Sequence, residues 1–179
     1  MNRNASAVLG LALSLALAAP AAAASGTARP PVKPYEKTVM ERYFAGTSTA
    51  SGTFRAINGL RRDLDIRLRG TVRPDGLTLR EDIRYKDGQS ERKTWRFTRT
   101  GPTTYRGTRE DVIGDTTVHV KGNTARFTYL VDLDPGPKQS IYRFYDTLVF
   151  APDGRSMTNT ATVWKAIFPV ARVKIDFQK

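Results

Sequence analysis

The sequence predicts an all-β chain: an antiparallel up-and-down meander of about ten strands, closed into a barrel or a strongly rolled sheet, with a short N-terminal helix. Three observations carry that prediction. Apolar and polar residues alternate with period two from Thr49 to the C-terminus. Glycine, proline, asparagine and aspartate cluster between the alternating runs, where tight antiparallel connections need positive or fixed φ. No helical periodicity intervenes, and a meander this long closes to remove its edges. The 179 residues are 40% hydrophobic and 26% charged. Much of the apolar content is concentrated in the first 24 residues, and the remainder suits a sheet with one dry and one wet face.

Residues 1–24 read as a secretory signal peptide: Arg3 supplies the positive start, Val8 to Ala19 an apolar stretch too short for an anchor, and Ala22-Ala23-Ala24 a small-residue cleavage pattern before Ser25. The expectation is export to the periplasm with no transmembrane helix. Residues 25–42 are expected to form a Pro-rich tether (Pro30, Pro31, Pro34) and a short helix, and 43–179 the barrel domain. Val39, Met40, Tyr43 and Phe44 fall at helical spacing and suit a short amphipathic turn closing the domain.

The strand rows follow in order. Leu64, Ile66, Leu68 and Val72 alternate with Asp65, Arg67, Arg69 and Thr71; Leu77, Leu79, Ile83 and Tyr85 with Thr78, Arg80, Asp82 and Arg84; Trp95 and Phe97 with Thr94, Arg96 and Thr98. Ala125, Phe127, Tyr129 and Val131 come next, then Tyr142, Phe144, Leu148 and Phe150, and finally Val173, Ile175 and Phe177. Turns are expected at Asn58-Gly59, Pro74-Asp75-Gly76, Asp87-Gly88, Gly101-Pro102, Gly122-Asn123, Asp134-Pro135-Gly136 and Pro152-Asp153-Gly154.

Glu81 interrupts an otherwise apolar row. Facing that row against Trp95 and Phe97 across the Asp87-Gly88 turn places Glu81 opposite Trp95, with Lys93 one diagonal step away and Leu68 on the other side. A carboxylate among apolar neighbours is expected, with Lys93 as its nearest partner. It reads either as a buried ion pair fixing register or as a ligand-orienting acid of raised pKa.

Several chemistries are excluded. Without cysteine the chain has no disulfide, thiol catalyst, thiolate metal site or lipid-anchored Cys, and a single histidine excludes the common His clusters, so neither metal nor cofactor is expected. There is no nucleophile elbow or Walker loop. His119, between Val118 and Val120, reads as a surface or packing residue.

The ordered set YFAG (43–46), LREDIRYKDG (79–88), KTW (93–95), TYRGTREDVIG (104–114), Gly122-Asn123, Asp146, Asn159 and Lys165 resembles the Gram-negative family called domain of unknown function 3833, over roughly residues 43–179. The resemblance implies a small exported protein with a calycin, lipocalin-like barrel, and it hints at lipids because such members are encoded beside fatty-acid-modifying enzymes. It also implies a ligand-binding or buried polar set of Glu81, Lys93, Trp95, Tyr105, Asp111, Tyr129, Asp146, Asn159 and Lys165, with Gly88, Gly107, Gly114, Gly122 and Asn123 as turn residues. The chain departs from the pattern in lacking the lipoprotein Cys. Tyr145-Asp146-Thr147 stands where two acids precede Trp, Asn159-Thr160 where Asn-Arg stands, and Ala166-Ile167 where Phe-Gly stands. Loss of an acid and an Arg together fits a structural ion pair better than a catalytic one.

The net charge of +12 concentrates on the polar rows. Arg67, Arg69, Arg80, Arg84, Arg92 and Arg96, with Arg61, Arg62 and Arg99, are expected to form a positive outer face that can meet an anionic membrane surface. Export and the absence of an aromatic row on that face exclude nucleic acid. The expected function is non-catalytic binding of a lipid-like or other apolar ligand inside the barrel. The alternatives are an envelope interaction protein using the basic face, and a carboxylate-dependent hydrolase of lipid or glycan.

Overall fold

A computed structural model describes residues 35–133 and 140–179. The expected signal peptide, most of the tether and the Asp134-Pro135-Gly136 turn lie outside the described residues. None of the described helices is long and apolar enough to cross a membrane.

The alternating rows form ten antiparallel strands: β1 (Gly46–Ala56), β2 (Arg61–Arg73), β3 (Gly76–Tyr85), β4 (Ser90–Arg99), β5 (Thr104–Thr108), β6 (Thr116–Lys121), β7 (Thr124–Asp132), β8 (Ile141–Phe150), β9 (Ser156–Lys165) and β10 (Phe168–Gln178). Each pairs with its sequence neighbours, and β1 pairs with β10 from Thr49↔Gln178 to Ala56↔Ala171, closing the barrel. Closure leaves no edge strand to aggregate. The apolar rows point inward and form one core, with Leu68, Tyr105, Val118, Val131 and Phe150 almost fully buried.

Helix α1 (Val39–Phe44) is too short to be stable alone and is held by its surroundings. Thr38 and Glu41 form a capping box: the Thr38 hydroxyl accepts from Glu41 N (3.4 Å), and the Glu41 carboxylate accepts from Thr38 N (3.0 Å). Met40, Tyr43 and Phe44 are buried in the barrel core, with Phe44 and Tyr43 against Phe150. The helix therefore seals one end of the barrel and belongs to it, so the barrel unit begins before residue 43. Arg99 turns away from the expected basic face, donates to the buried Glu41 carboxylate and to Pro102 O (2.8 Å), and stacks on Tyr105. The Tyr105 hydroxyl bonds Thr38 (2.7 Å).

Two glycines show why small residues are needed near this seal. A Cβ on Gly70 would stand 1.7 Å from the Phe44 carbonyl oxygen, so Gly70 lets the helix lie against β2. Gly70→Ala is expected to cost about 2 kcal/mol by overpacking, read as a fall of several degrees in melting temperature; an unchanged melt would show that the helix does not seat there. Gly107, expected in a turn, instead lies inside β5 opposite Phe97, where a Cβ would come within 2.9 Å of the Phe97 ring. Gly88, Gly114 and Gly122 do occupy turns at positive φ (90°, 73° and 57°). Asn123 ties the β6–β7 turn to β8, donating from Nδ2 to Phe150 O (3.1 Å).

Two connections differ from expectation. Tyr85 N donates to Gln89 O and Gly88 N to Tyr85 O, so Lys86-Asp87-Gly88 forms a three-residue hairpin loop. Glu81 therefore pairs with Lys93, and Trp95 with Leu79; the slip of two residues preserves every face. On the other side Leu68 lies opposite Glu81, the expected pairing. The β9–β10 turn carries no glycine or proline: Lys165 pairs with Phe168, and Ala166 adopts φ 52°.

Candidate functional site

The barrel encloses a cavity of about 470 Å³ between the helix-sealed end and the opposite end, within the usual range for a small-molecule site. Its walls are the inward rows: Leu64, Ile66, Leu68, Leu79 and Ile83 on one side, Trp95, Phe97, Phe127, Tyr129 and Phe144 on the other. The aromatic wall is continuous. Trp95 stacks on Phe97 (centroids 5.2 Å) and meets Tyr129 edge-on (5.1 Å), and Tyr129 stacks on Phe144 (5.3 Å).

Strand directions place the β1–β2, β3–β4, β5–β6 and β9–β10 connections and the start of β8 at the open end. A collar of exposed apolar side chains surrounds it: Ile57, Leu60, Ile113, Leu133, Ile167 and Phe168. Leu60 and Leu133 also line the cavity, so the collar continues into the interior.

Toward this end the apolar walls give way to a polar cluster. Arg109 is its centre: the guanidinium forks onto Asp111 (2.5 and 3.1 Å) and lies over the Trp95 ring (4.7 Å) and the Tyr129 ring (5.3 Å). Lys93 donates to Asp111 (2.6 Å) and lies 3.3 Å from Glu91. Burial pushes Asp111 up, but the Arg109 and Lys93 charges prevail and hold its carboxyl below the usual range. The expected Glu81–Lys93 ion pair is thus not formed, because Asp111 and Glu91 hold the ammonium. Among the described residues Glu81 has no hydrogen bond or ion pair, and burial pushes its carboxyl up to about 7 against the opposing Arg109 and Lys93 charges.

Asp146 on β8 accepts from Asn159 Nδ2 on β9 (2.9 Å), and both line the cavity. Burial pushes Asp146 up to about 6, opposed by the Asn159 hydrogen bond and the Tyr129 hydroxyl. The Tyr129 phenol is raised by its own burial and by Asp146. Asp146 Oδ2 and Asn159 Oδ1 are buried without a hydrogen-bond partner. Two acids of raised pKa in one apolar cavity can exchange protons near neutrality, or can hold a donor group of a ligand.

The structure brings Glu81, Lys93, Trp95, Asp111, Tyr129, Asp146 and Asn159 together around the cavity. Tyr105 is at the sealed end and braces the helix. Lys165 is at the rim, its ammonium 3.4 Å from the Tyr142 hydroxyl. Arg109 was not singled out from the sequence, yet the signal was present: it continues the inward row Tyr105, Gly107 at the same parity. His119 is exposed on the outer row of β6. Tyr145 and Thr160, where the chain departs from the family pattern, are also exposed on the outside, away from the cluster. No group of His, Cys, Asp and Glu among the described residues can hold a metal ion.

Arg67, Arg69, Arg80, Arg84, Arg92 and Arg96 are all exposed on the outer faces of β2, β3 and β4. Arg80 and Arg92 share Asp82, while the other four form no ion pair among the described residues.

Two solved structures share this architecture. Rv2717c from M. tuberculosis matches with a TM-score of 0.54 at 11% identity, covering 76% of this chain and 92% of that one. The S-type phycobiliprotein lyase CPES from Guillardia theta matches with a TM-score of 0.53 at 6% identity, covering 77% and 88%. At such identities the likeness is one of fold, the closed antiparallel barrel. No curated protein matches the sequence significantly. The model of the family described as protein of unknown function DUF3833 matches residues 23–179, and the chain belongs to that family.

Proposed function

We propose that this barrel is an exported, periplasmic binding protein that holds a lipid-like or other apolar small molecule and performs no covalent chemistry on it. The observation that carries the reading is the cavity of about 470 Å³, lined mainly by aliphatic and aromatic side chains and opening through an apolar collar. A barrel serving only as a scaffold fills its interior with side chains; this one leaves room. The collar lets an apolar molecule pass between bilayer and cavity without crossing a polar rim.

The experiment is native mass spectrometry of protein purified from the periplasm without detergent, followed by solvent extraction and lipid analysis. One apolar molecule per chain is expected, recovered intact and lost in a folded Trp95→Ala variant. A clean apo mass after incubation with envelope lipids overturns the reading. Recovery of a cleaved lipid would replace it with the hydrolytic one, in which Glu81 and Asp146 act as acid and base.

A second reading is supported by Arg67, Arg69, Arg84 and Arg96, outward cations that form no ion pair among the described residues and suit an anionic membrane surface. Binding to anionic vesicles that survives Trp95→Ala and is lost when these arginines are replaced by glutamine would favour it.

A further inference from the structure

We infer that the ligand of this cavity carries a positively charged hydrogen-bond donor, a primary amine on an apolar body, and not a carboxylate. The inference rests on the reading that the barrel interior holds an apolar ligand, and it deepens that reading by naming the polar end.

The cavity's cations are already engaged. Arg109 is paired with Asp111 through Nε and Nη2 and lays its face on Trp95 and Tyr129. Lys93 is held between Asp111 and Glu91. Arg62, nearer the mouth, is bonded to Asp87 (2.8 Å) and Gln89 (2.8 Å) and covers the Tyr85 ring. Among the residues that line the cavity a ligand carboxylate would find no cation without a carboxylate partner, and it would add an anion beside Glu81 and Asp146.

The acceptors, by contrast, are open. Asp146 is only 5% exposed, and its Oδ2 makes no hydrogen bond, although the Tyr129 hydroxyl acts on the same carboxyl. Asn159 Oδ1, beside it, makes none either. The Glu81 carboxyl borders the same cavity with neither hydrogen bond nor ion pair among the described residues. In the cluster, four carboxyls (Glu81, Glu91, Asp111, Asp146) face two cations (Lys93, Arg109), and the two carboxyls in excess are those left without a cation. Buried acceptors without donors are costly, and an ammonium offers three N–H donors and the missing charge together. The ring edges and faces of Phe127, Tyr129 and Phe144 beside the cluster are compatible with a cation at the end of an apolar chain.

Calorimetric titration of the purified chain at pH 7 with dodecylamine, dodecanol and dodecanoate, each below its micelle concentration or solubility limit, separates the possibilities because the three share one chain. Dodecylamine is expected to bind at least about tenfold more tightly than dodecanoate. Asp146→Asn and Glu81→Gln, each checked for an intact melt, are expected to remove most of that preference while leaving dodecanol affinity nearly unchanged. Dodecanoate binding as tightly as dodecylamine, or a preference untouched in both variants, overturns the inference while the apolar-ligand reading stands. If none of the three binds, the apolar-ligand reading fails and the inference with it.

Discussion

The ligand-free protein is expected to lose stability as pH rises from about 4 to 7, the reverse of the usual trend on the acid side, and to level off above that. Glu81 and Asp146 titrate near 7 and 6 in the fold, above their ordinary values of 4.5 and 3.8, because burial disfavours the charged forms. Below the ordinary values both groups are protonated whether the chain is folded or not, and they contribute no penalty. Between the ordinary and folded values the unfolded chain ionises and the folded chain does not, so folding is opposed increasingly until the folded groups also ionise. Taken singly, each shift corresponds to about 3 kcal/mol as an upper bound, and the two are coupled and do not add fully. Glu81→Gln and Asp146→Asn should each flatten the slope and raise the melting temperature at pH 8. Melting curves at unit steps of pH decide the matter, and equal slopes in wild type and both variants would refute the burial argument. A second loss is expected below about pH 4, where Asp63, Asp82, Asp87, Asp111, Asp153 and Asp176, all held below their usual range by hydrogen bonds or cationic neighbours, become protonated.

Breaking the ion pair at the sealed end is expected to cost even more. The Arg99 and Glu41 side chains are 5% and 2% exposed and hold each other. Arg99→Ala strands the Glu41 carboxylate in the core without a cation among the described residues, leaving Thr38 N as its hydrogen-bond donor, and removes the donor that ties the β4–β5 connection to the helix. The expected loss is about 3–5 kcal/mol, a fall of roughly 10 °C or more in melting temperature for a domain of this size. Because an isosteric apolar pair avoids the stranded charge, Arg99→Met combined with Glu41→Leu should recover a good part of that loss. Arg96→Ala, an outward residue three positions earlier, should change stability by less than about 0.5 kcal/mol. A small effect of Arg99→Ala would mean that the helix does not depend on this pair. Unsealing that end should also weaken binding of any apolar probe in the cavity.

The contrast between Arg96 and Arg99 shows that parity, and not charge, decides which face a strand residue takes. Both lie in one strand of evident alternation, and both were expected on a basic outer face. Arg96 is there, but Arg99 shares the parity of Trp95 and Phe97 and pairs with the buried Tyr105, so it faces inward, where the Glu41 carboxylate holds its guanidinium. Arg109 is a second such case. Its parity continues the inward row Tyr105, Gly107, and the Asp111 carboxylate holds its guanidinium there.

Alternation gave a meander of about ten strands and the inward faces of the six rows read from it, because a side-chain period of two needs no knowledge of what lies across the barrel. It placed Glu81 among apolar neighbours for the same reason. The partners were beyond its reach. The Asp87-Gly88 loop chose its register from hydrogen bonds among three residues, a matter of backbone geometry that side-chain polarity does not encode. The β5–β6 loop carried Asp111 to Lys93 and left Glu81 unpaired. Asp146 and Glu81 share one cavity only because closure of the barrel brings β8 and β3 to facing walls. Whether that interior is filled or open depends on the summed volume of side chains from every strand at once, which is a property of the closed barrel and of no segment within it.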